Sequence, residues 1–379
     1  VMKRKKFDLT GPAATAMRDE IVHGAFLTQG AIAAFPLCFP GVTTPIPHEE
    51  SRITALTVTS DGVIYGGTSG GRAHCFVAMF HGATGFVFDL GGAEGTASCP
   101  GICCTRQKVV AAVHSGDAAC LIRFPLQGLP FDLLQEWGFN RPEMETVPLS
   151  PDAGSIVWDV ASDPTQRDAV IVATDTGLWR VADNESEAEA VAVVPVSGRL
   201  LNLGTVLLGR DSDESLWICD VQTGNVARRA VQLPRDIWEG DEVTWCRDPL
   251  SGGVYVVSAT GGLYRFCPKT MVFGSCLGRV PLSPVTAMAA TTDGRLFGAC
   301  GDGISKMFCF DPAKCSVDLI GVPVSVLGRR RYGYCFGAAV CGRDGHLVFG
   351  ENDNSGHLWV YFPSITGVGM PCPGKEVNG

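Results

Sequence analysis

The stretch GGTSGGRAHCF, Gly66 to Phe76, has the glycine density of a phosphate-cradling loop, and its reading decides the fold. A P-loop ends in Gly-Lys-Ser/Thr and opens a helix, because the lysine and the helix N-terminus together hold the anion. Here Gly71 is followed by Arg72, Ala73 and His74, and then by the apolar run CFVAMF, which has no helical period. A dinucleotide fingerprint fails the same test, since its third glycine must also open a helix. The glycines therefore turn a strand.

The design recurs along the chain. YGGTSGGRAHCFVAMF (65–80) has counterparts in FGACGDGISKMFCFDP (297–312) and FGENDNSGHLWVYFP (349–363), each a glycine, a small polar turn and an apolar strand. Looser copies are AAVHSGDAACLIRFP (111–125), VATDTGLWRV (172–181), LGRDSDESLWICD (208–220) and VSATGGLYRFCP (257–268). Counted from Gly66, Ala112, Ala173, Gly209, Ser258, Gly298 and Gly350, the steps are 46, 61, 36, 49, 40 and 52 residues. A repeat in the forties marks a toroidal array. Asp61-Gly62, Asp293-Gly294 and Asp344-Gly345 lie between strand-like runs ahead of three copies, where Asp-Gly signals a hairpin. A fourth strand follows others, as in GFVFDLG (85–91) and SVDLIG (316–321).

The prediction is an all-β chain: a seven-bladed β-propeller of four-stranded antiparallel blades over residues 53–365. Residues 1–52 form an N-terminal segment with a short helix over 8–22, capped by Thr10, and a strand within 24–36 that closes the ring beside the last blade. Residues 366–379 are a C-terminal tail, and 128–150 and the acidic 182–190 read as excursions from the blades.

Composition narrows the partners. A net charge of −9 and a pI near 5.3 argue against nucleic acid, because a polyanion meets a repulsive field. No apolar run is long enough to span a bilayer, so membrane insertion is not expected. The basic cluster Lys3 to Lys6 lacks an apolar stretch behind it, and the sixteen cysteines follow no CxxC spacing. Free thiols, a cytoplasmic location, no metal and no cofactor are the expectations.

The phrases YGGTSGGRAHCF and GENDNSGHLWVYFP resemble those of propeller proteins from polysaccharide-degrading systems, the ulvan and oligogalacturonate lyases among them. The likeness covers 53–365 as architecture; Gly-His and Trp-Asp pairs of WD-repeat blades are missing at the expected places. It implies a working face at the channel mouth, built by the hairpins between second and third strands and the loops leading into the first. Candidate ligand-binding residues there are Arg52, Arg72, His74, Arg329, Arg331, Glu351, Asp353 and His357. His74, Lys306 and His357 fall at matching places in three hairpins, which favours a part in shaping the turn.

Two function classes follow. The leading one is a binding or scaffolding protein that holds a carbohydrate or protein partner at the mouth. The alternative is a lyase acting by β-elimination on uronate sugars. Arg330 would then neutralise the substrate carboxylate, His48 or His114 would take the C5 proton, and Tyr332 would protonate the leaving oxygen. A propeller glycoside hydrolase using paired carboxylates is a third class.

Overall fold

The computed structural model describes residues 30–37, 45–81, 84–116, 118–126, 142–150, 153–154, 156–194, 196–211, 216–228, 244–325 and 331–363. The expected helix at 8–22 and the tail at 366–379 lie outside them. The architecture is the expected one: seven antiparallel four-stranded blades, almost without helix. Blade 1 illustrates the unit, with strands Arg52–Val58, Ile64–Ser69, Cys75–His81 and Thr84–Gly91 running from the channel outward. Blades 2 to 6 begin at Ser98, Val157, Leu201, Thr244 and Val285.

Blade 7 supplies only three strands of its own, Phe336–Cys341, Leu347–Glu351 and His357–Pro363. Its fourth is Gly30–Pro36, paired antiparallel with the third from Gly30 against Pro363 to Pro36 against His357. The described strand covers the later part of the expected range, and 24–29 lie outside the described residues. Its outer edge is partly covered, because Ala34 N–H donates to Ser325 Oγ at 3.1 Å from a small hairpin between blades 6 and 7. That contact satisfies an edge donor that would otherwise invite another strand.

Two local rules explain the repeat. Asp-Gly occupies the hairpins between first and second strands, where Gly62, Gly294 and Gly345 have φ of 92°, 83° and 79°, a region closed to most L-residues. Thr59 and Thr291 each donate a hydroxyl to the aspartate of the same turn. Gly66, Gly209 and Gly298 face Phe76, Trp217 and Phe308 across the sheet, and a Cβ on any of them would overlap the ring. The glycines of the opening stretch thus make room for an aromatic side chain.

Among the described residues there are seven apolar clusters, one for each junction between neighbouring blades, including blade 7 against blade 1. Each blade buries both faces only because it has two neighbours, so the ring is one cooperative core. Trp359, Phe349 and Phe336 exclude solvent at the junction of blades 6 and 7, where truncating one such ring typically costs about 3–5 kcal/mol.

Two presumed excursions are partly blade. Glu145–Pro148 and Glu189–Ala192 are the fourth strands of blades 2 and 3. The acidic turn before the second is held from behind: buried Arg123 donates to the carbonyls of Ala182, Asp183 and Glu185 at 2.8–3.1 Å. Arg180 and Arg265 sit at the same strand position, and each pairs at 2.7 Å with an aspartate of its own blade's first turn, Asp163 or Asp248. A Leu-x-Arg signature on third strands therefore ties hairpins together.

Candidate functional site

The mouth face carries the hairpins between second and third strands and the lead-in loops. In blade 1 the 3-10 turn His48–Glu50 precedes the inner strand and brings Glu50 over the hairpin. His74 Nε2 lies 2.7 Å from Glu50 Oε2, and its Nδ1 lies 3.1 Å from Asp89 Oδ1. Burial works against the charged imidazole, but the hydrogen bonds and charges of Asp89 and Glu50 prevail and hold its pKa above the usual value. Arg72 donates Nη2 to the Gly92 carbonyl, and Arg52 is exposed beside the ring seam.

Blade 7 is organised around a carboxylate. Glu351 is fully buried and accepts from Arg331 Nη2 at 2.8 Å, Trp359 Nε1 at 3.3 Å and the Tyr334 N–H at 2.9 Å. His357 Nδ1 is 3.2 Å away. Burial pushes the Glu351 carboxyl up, but His357, the Tyr334 N–H and Arg331 outweigh it and leave the pKa low. Arg331 also reaches Asp353 at 2.9 Å; burial and the Glu351 charge raise the Asp353 carboxyl against that pairing.

These networks meet at the seam. Ser51 Oγ donates to the carbonyls of His48 and Asn354 at 2.9 and 3.0 Å, and His48 Nδ1 lies 3.4 Å from Ser355 Oγ. The structure thus groups His48, Arg331, Glu351, Asp353 and His357 near one another, with Arg72 and His74 in the adjoining hairpin. His114 is the penultimate residue of the second strand of blade 2, where burial lowers its pKa. Tyr332 is half-buried in the small hairpin, while Arg329 and Arg330 lie outside the described residues.

The expected equivalence holds. His74, Lys306 and His357 each close a turn of equal length, 69–73, 301–305 and 352–356. Two residues further on, Phe76, Phe308 and Trp359 pair with Gly66, Gly298 and Phe349, so Gly350 matches Gly67 and not Gly66. Strand alternation then points His357 to the same face as His74, toward the preceding blade.

The mouth also offers apolar surface. Of the ten exposed large hydrophobic side chains among the described residues, five are in its loops: Ile156, Val193, Leu282, Ile304 and Tyr334. The last three form a strip, because backbone bonds stitch their loops together. Gly301 N–H donates to Pro284 O at 2.9 Å, Ser305 N–H to Gly333 O at 3.1 Å, and Ser305 Oγ to Tyr334 O at 2.6 Å.

Sequence reasoning missed the channel itself. Arg199, in the loop leading into blade 4, reaches across to the carbonyls of Thr54 at 2.7 Å and Gly337 at 2.6 Å. Both acceptors are bulge residues of inner strands, in blades 1 and 7. Asp159 is committed to backbone, accepting from Val160 N–H and Leu200 N–H at 2.8 Å each. Burial pushes its carboxyl up to about 6 against the Arg199 charge and these two donors. Nothing in SGRLLNLG (197–204) signals this; the contact joins residues well over a hundred positions apart.

Among the described residues no three metal-ligating side chains converge, no helix is long and apolar enough to cross a membrane, and all fourteen cysteines are free. No protein-family model matches the sequence, and no curated protein matches it. Among solved structures the chain is similar in fold to the WD40 β-propeller domain of Doa1. The TM-score is 0.55 at 11% identity, over 88% of this chain and 96% of that one. The class is therefore a seven-bladed propeller.

Proposed function

We propose that the chain is a binding or scaffolding propeller that holds a protein partner on its mouth face. The observation that carries this reading is the apolar strip of Leu282, Ile304 and Tyr334, exposed at 38%, 48% and 44% beside a channel rim whose charged groups bind one another. Exposed apolar side chains gathered on one face favour a partner whose own apolar surface is buried on contact. A sugar calls instead for uncommitted polar groups, and here His74, Glu50, Asp89, Arg331 and Glu351 are used in holding hairpins. The β-elimination reading rests on Arg330 with His48 or His114 and Tyr332.

A photo-reactive residue placed at Ile304 in the full chain, compared with one at Val272 on an outer strand, tests the proposal in a native extract. Discrete protein adducts at 304 and none at 272 are expected. Equal labelling at both positions would overturn it, as would production of the unsaturated uronate absorbance on incubation with uronate polymers.

A further inference from the structure

We infer that the central channel holds a second site, for a small organic monocarboxylate with an apolar body, reached from the face opposite the mouth. The inference starts from blade 4. Its inner strand, Leu201–Asn202, has two residues, against four in blade 5 and seven in blade 1. A short strand leaves the channel wall incomplete, and a cavity of about 330 Å3 lies there. That is within the size range of small-molecule sites.

The cavity has a direction. Inner strands run from the mouth toward the hairpins of the opposite face, so Arg199, ahead of its strand, lies at the mouth end and Arg247, last residue of Thr244–Arg247, at the other. Arg199 bars the mouth end, since its Nη2 is bound to the Thr54 and Gly337 carbonyls on the far side of the ring. Nε and Nη1 have no protein partner among the described residues, and the side chain is exposed to the channel. Arg247 is exposed, and its guanidinium forms no hydrogen bond or ion pair among those residues.

Charge then selects the ligand. Asp159 is the only carboxylate in the wall, and both its oxygens are taken by backbone N–H groups. Two arginines against one aspartate make the cavity cationic inside a protein of net charge −9. Between the arginines the wall is mixed, with Ser162 and Asn202 beside Ile102, Met288 and Trp245. A carboxylate on the free donors of Arg199 with its hydrocarbon against those side chains satisfies both features, and Arg247 at the rim attracts the anion inward. Phosphate matches the charge but leaves the Ile102, Met288 and Trp245 side chains uncovered.

Calorimetric titration of the full chain with benzoate and hexanoate, against benzamide, hexanamide and inorganic phosphate, tests the inference. A carboxylate should bind saturably and at least about tenfold tighter than its amide, the preference expected of a charge-assisted contact. Arg247→Glu, a change at an exposed rim residue that holds nothing in place, should weaken carboxylate binding several-fold, while Arg167→Glu at an exposed surface position should not. Arg199→Lys should weaken it too, and Ile304→Glu should leave it unchanged, which separates this site from the mouth face. Equal affinity for acid and amide, binding of phosphate alone, or indifference to both Arg199→Lys and Arg247→Glu would overturn it.

Discussion

Blades 1 and 7 meet at the ring seam and hold their mouth hairpins with opposite chemistry. In blade 1 the hub is a histidine between two carboxylates, His74 with Glu50 and Asp89. In blade 7 the hub is a carboxylate among donors, Glu351 with Arg331, Trp359 and the Tyr334 N–H, and with His357 beside it. The two struts must therefore fail at opposite ends of the pH scale. They must also fail by different amounts, because Glu351 has no solvent access and His74 retains a little.

The largest effect should come from the strand that both blades depend on. Removing residues 1–36 leaves the third strand of blade 7 without its partner and the blade 7 and blade 1 core open to water. Thermal denaturation should show a greater loss than any single substitution below, and an unchanged melting temperature would refute closure by this strand. Next, Glu351→Ala takes the acceptor from the buried Trp359 indole N–H and from the Tyr334 N–H, and leaves half-buried Arg331 with Asp353 alone. A loss of about 2–6 kcal/mol in denaturant unfolding is expected, at about 1–3 kcal/mol for each donor left unpaired. His74→Ala should cost less, about 1.5–3 kcal/mol, the range of hydrogen bonds to charged groups, since Asp89 keeps the Gly91 N–H. If the histidine variant proved the less stable of the two, the ranking of the hubs would be reversed.

The smaller effect is the pH dependence that distinguishes the hubs. His74 has a folded pKa above its unfolded value of 6.5. Its contribution is complete below about 6.5 and disappears as pH rises through the folded value. Glu351 has a folded pKa below 4.5, so its contribution is complete above that and disappears as pH falls through the folded value. Unfolding midpoints measured from about pH 2 to 9 should show His74→Ala flattening the alkaline side of the profile. Glu351→Gln should flatten the acid side, and a His74→Ala profile parallel to wild type would remove the charge from that account.

What was legible in the sequence follows the range of each interaction. Asp61-Gly62 and Asp293-Gly294 could be read because turn chemistry is complete within a few residues, and the alternation after Gly66 or Gly298 reports burial directly. The fourth strand of blade 3 was hidden under an acidic run, because its order comes from Arg123 of the preceding blade. Membership of the mouth face was also legible for His74, Arg331, Glu351 and Asp353, since hairpin position sets it. Their pairings were not: His74 and His357 hold equivalent strand positions, yet one lies against Glu50 and Asp89 and the other against Glu351, and no local pattern reports the partner. Arg199 and Asp159 are the limiting case, joined only when the ring closes.

The contrast between groups that hold the face and groups that meet a partner can be tested directly. Retention of the protein captured at position 304 should be measured for wild type, His74→Ala and Ile304→Glu at a temperature where all three remain folded. Ile304→Glu is expected to abolish retention, and His74→Ala to leave it within about twofold of wild type, since apolar contact at the strip carries the binding while His74 only braces its hairpin. Full retention by Ile304→Glu together with loss in a folded His74→Ala would contradict the account, because the charged network would then be the binding surface.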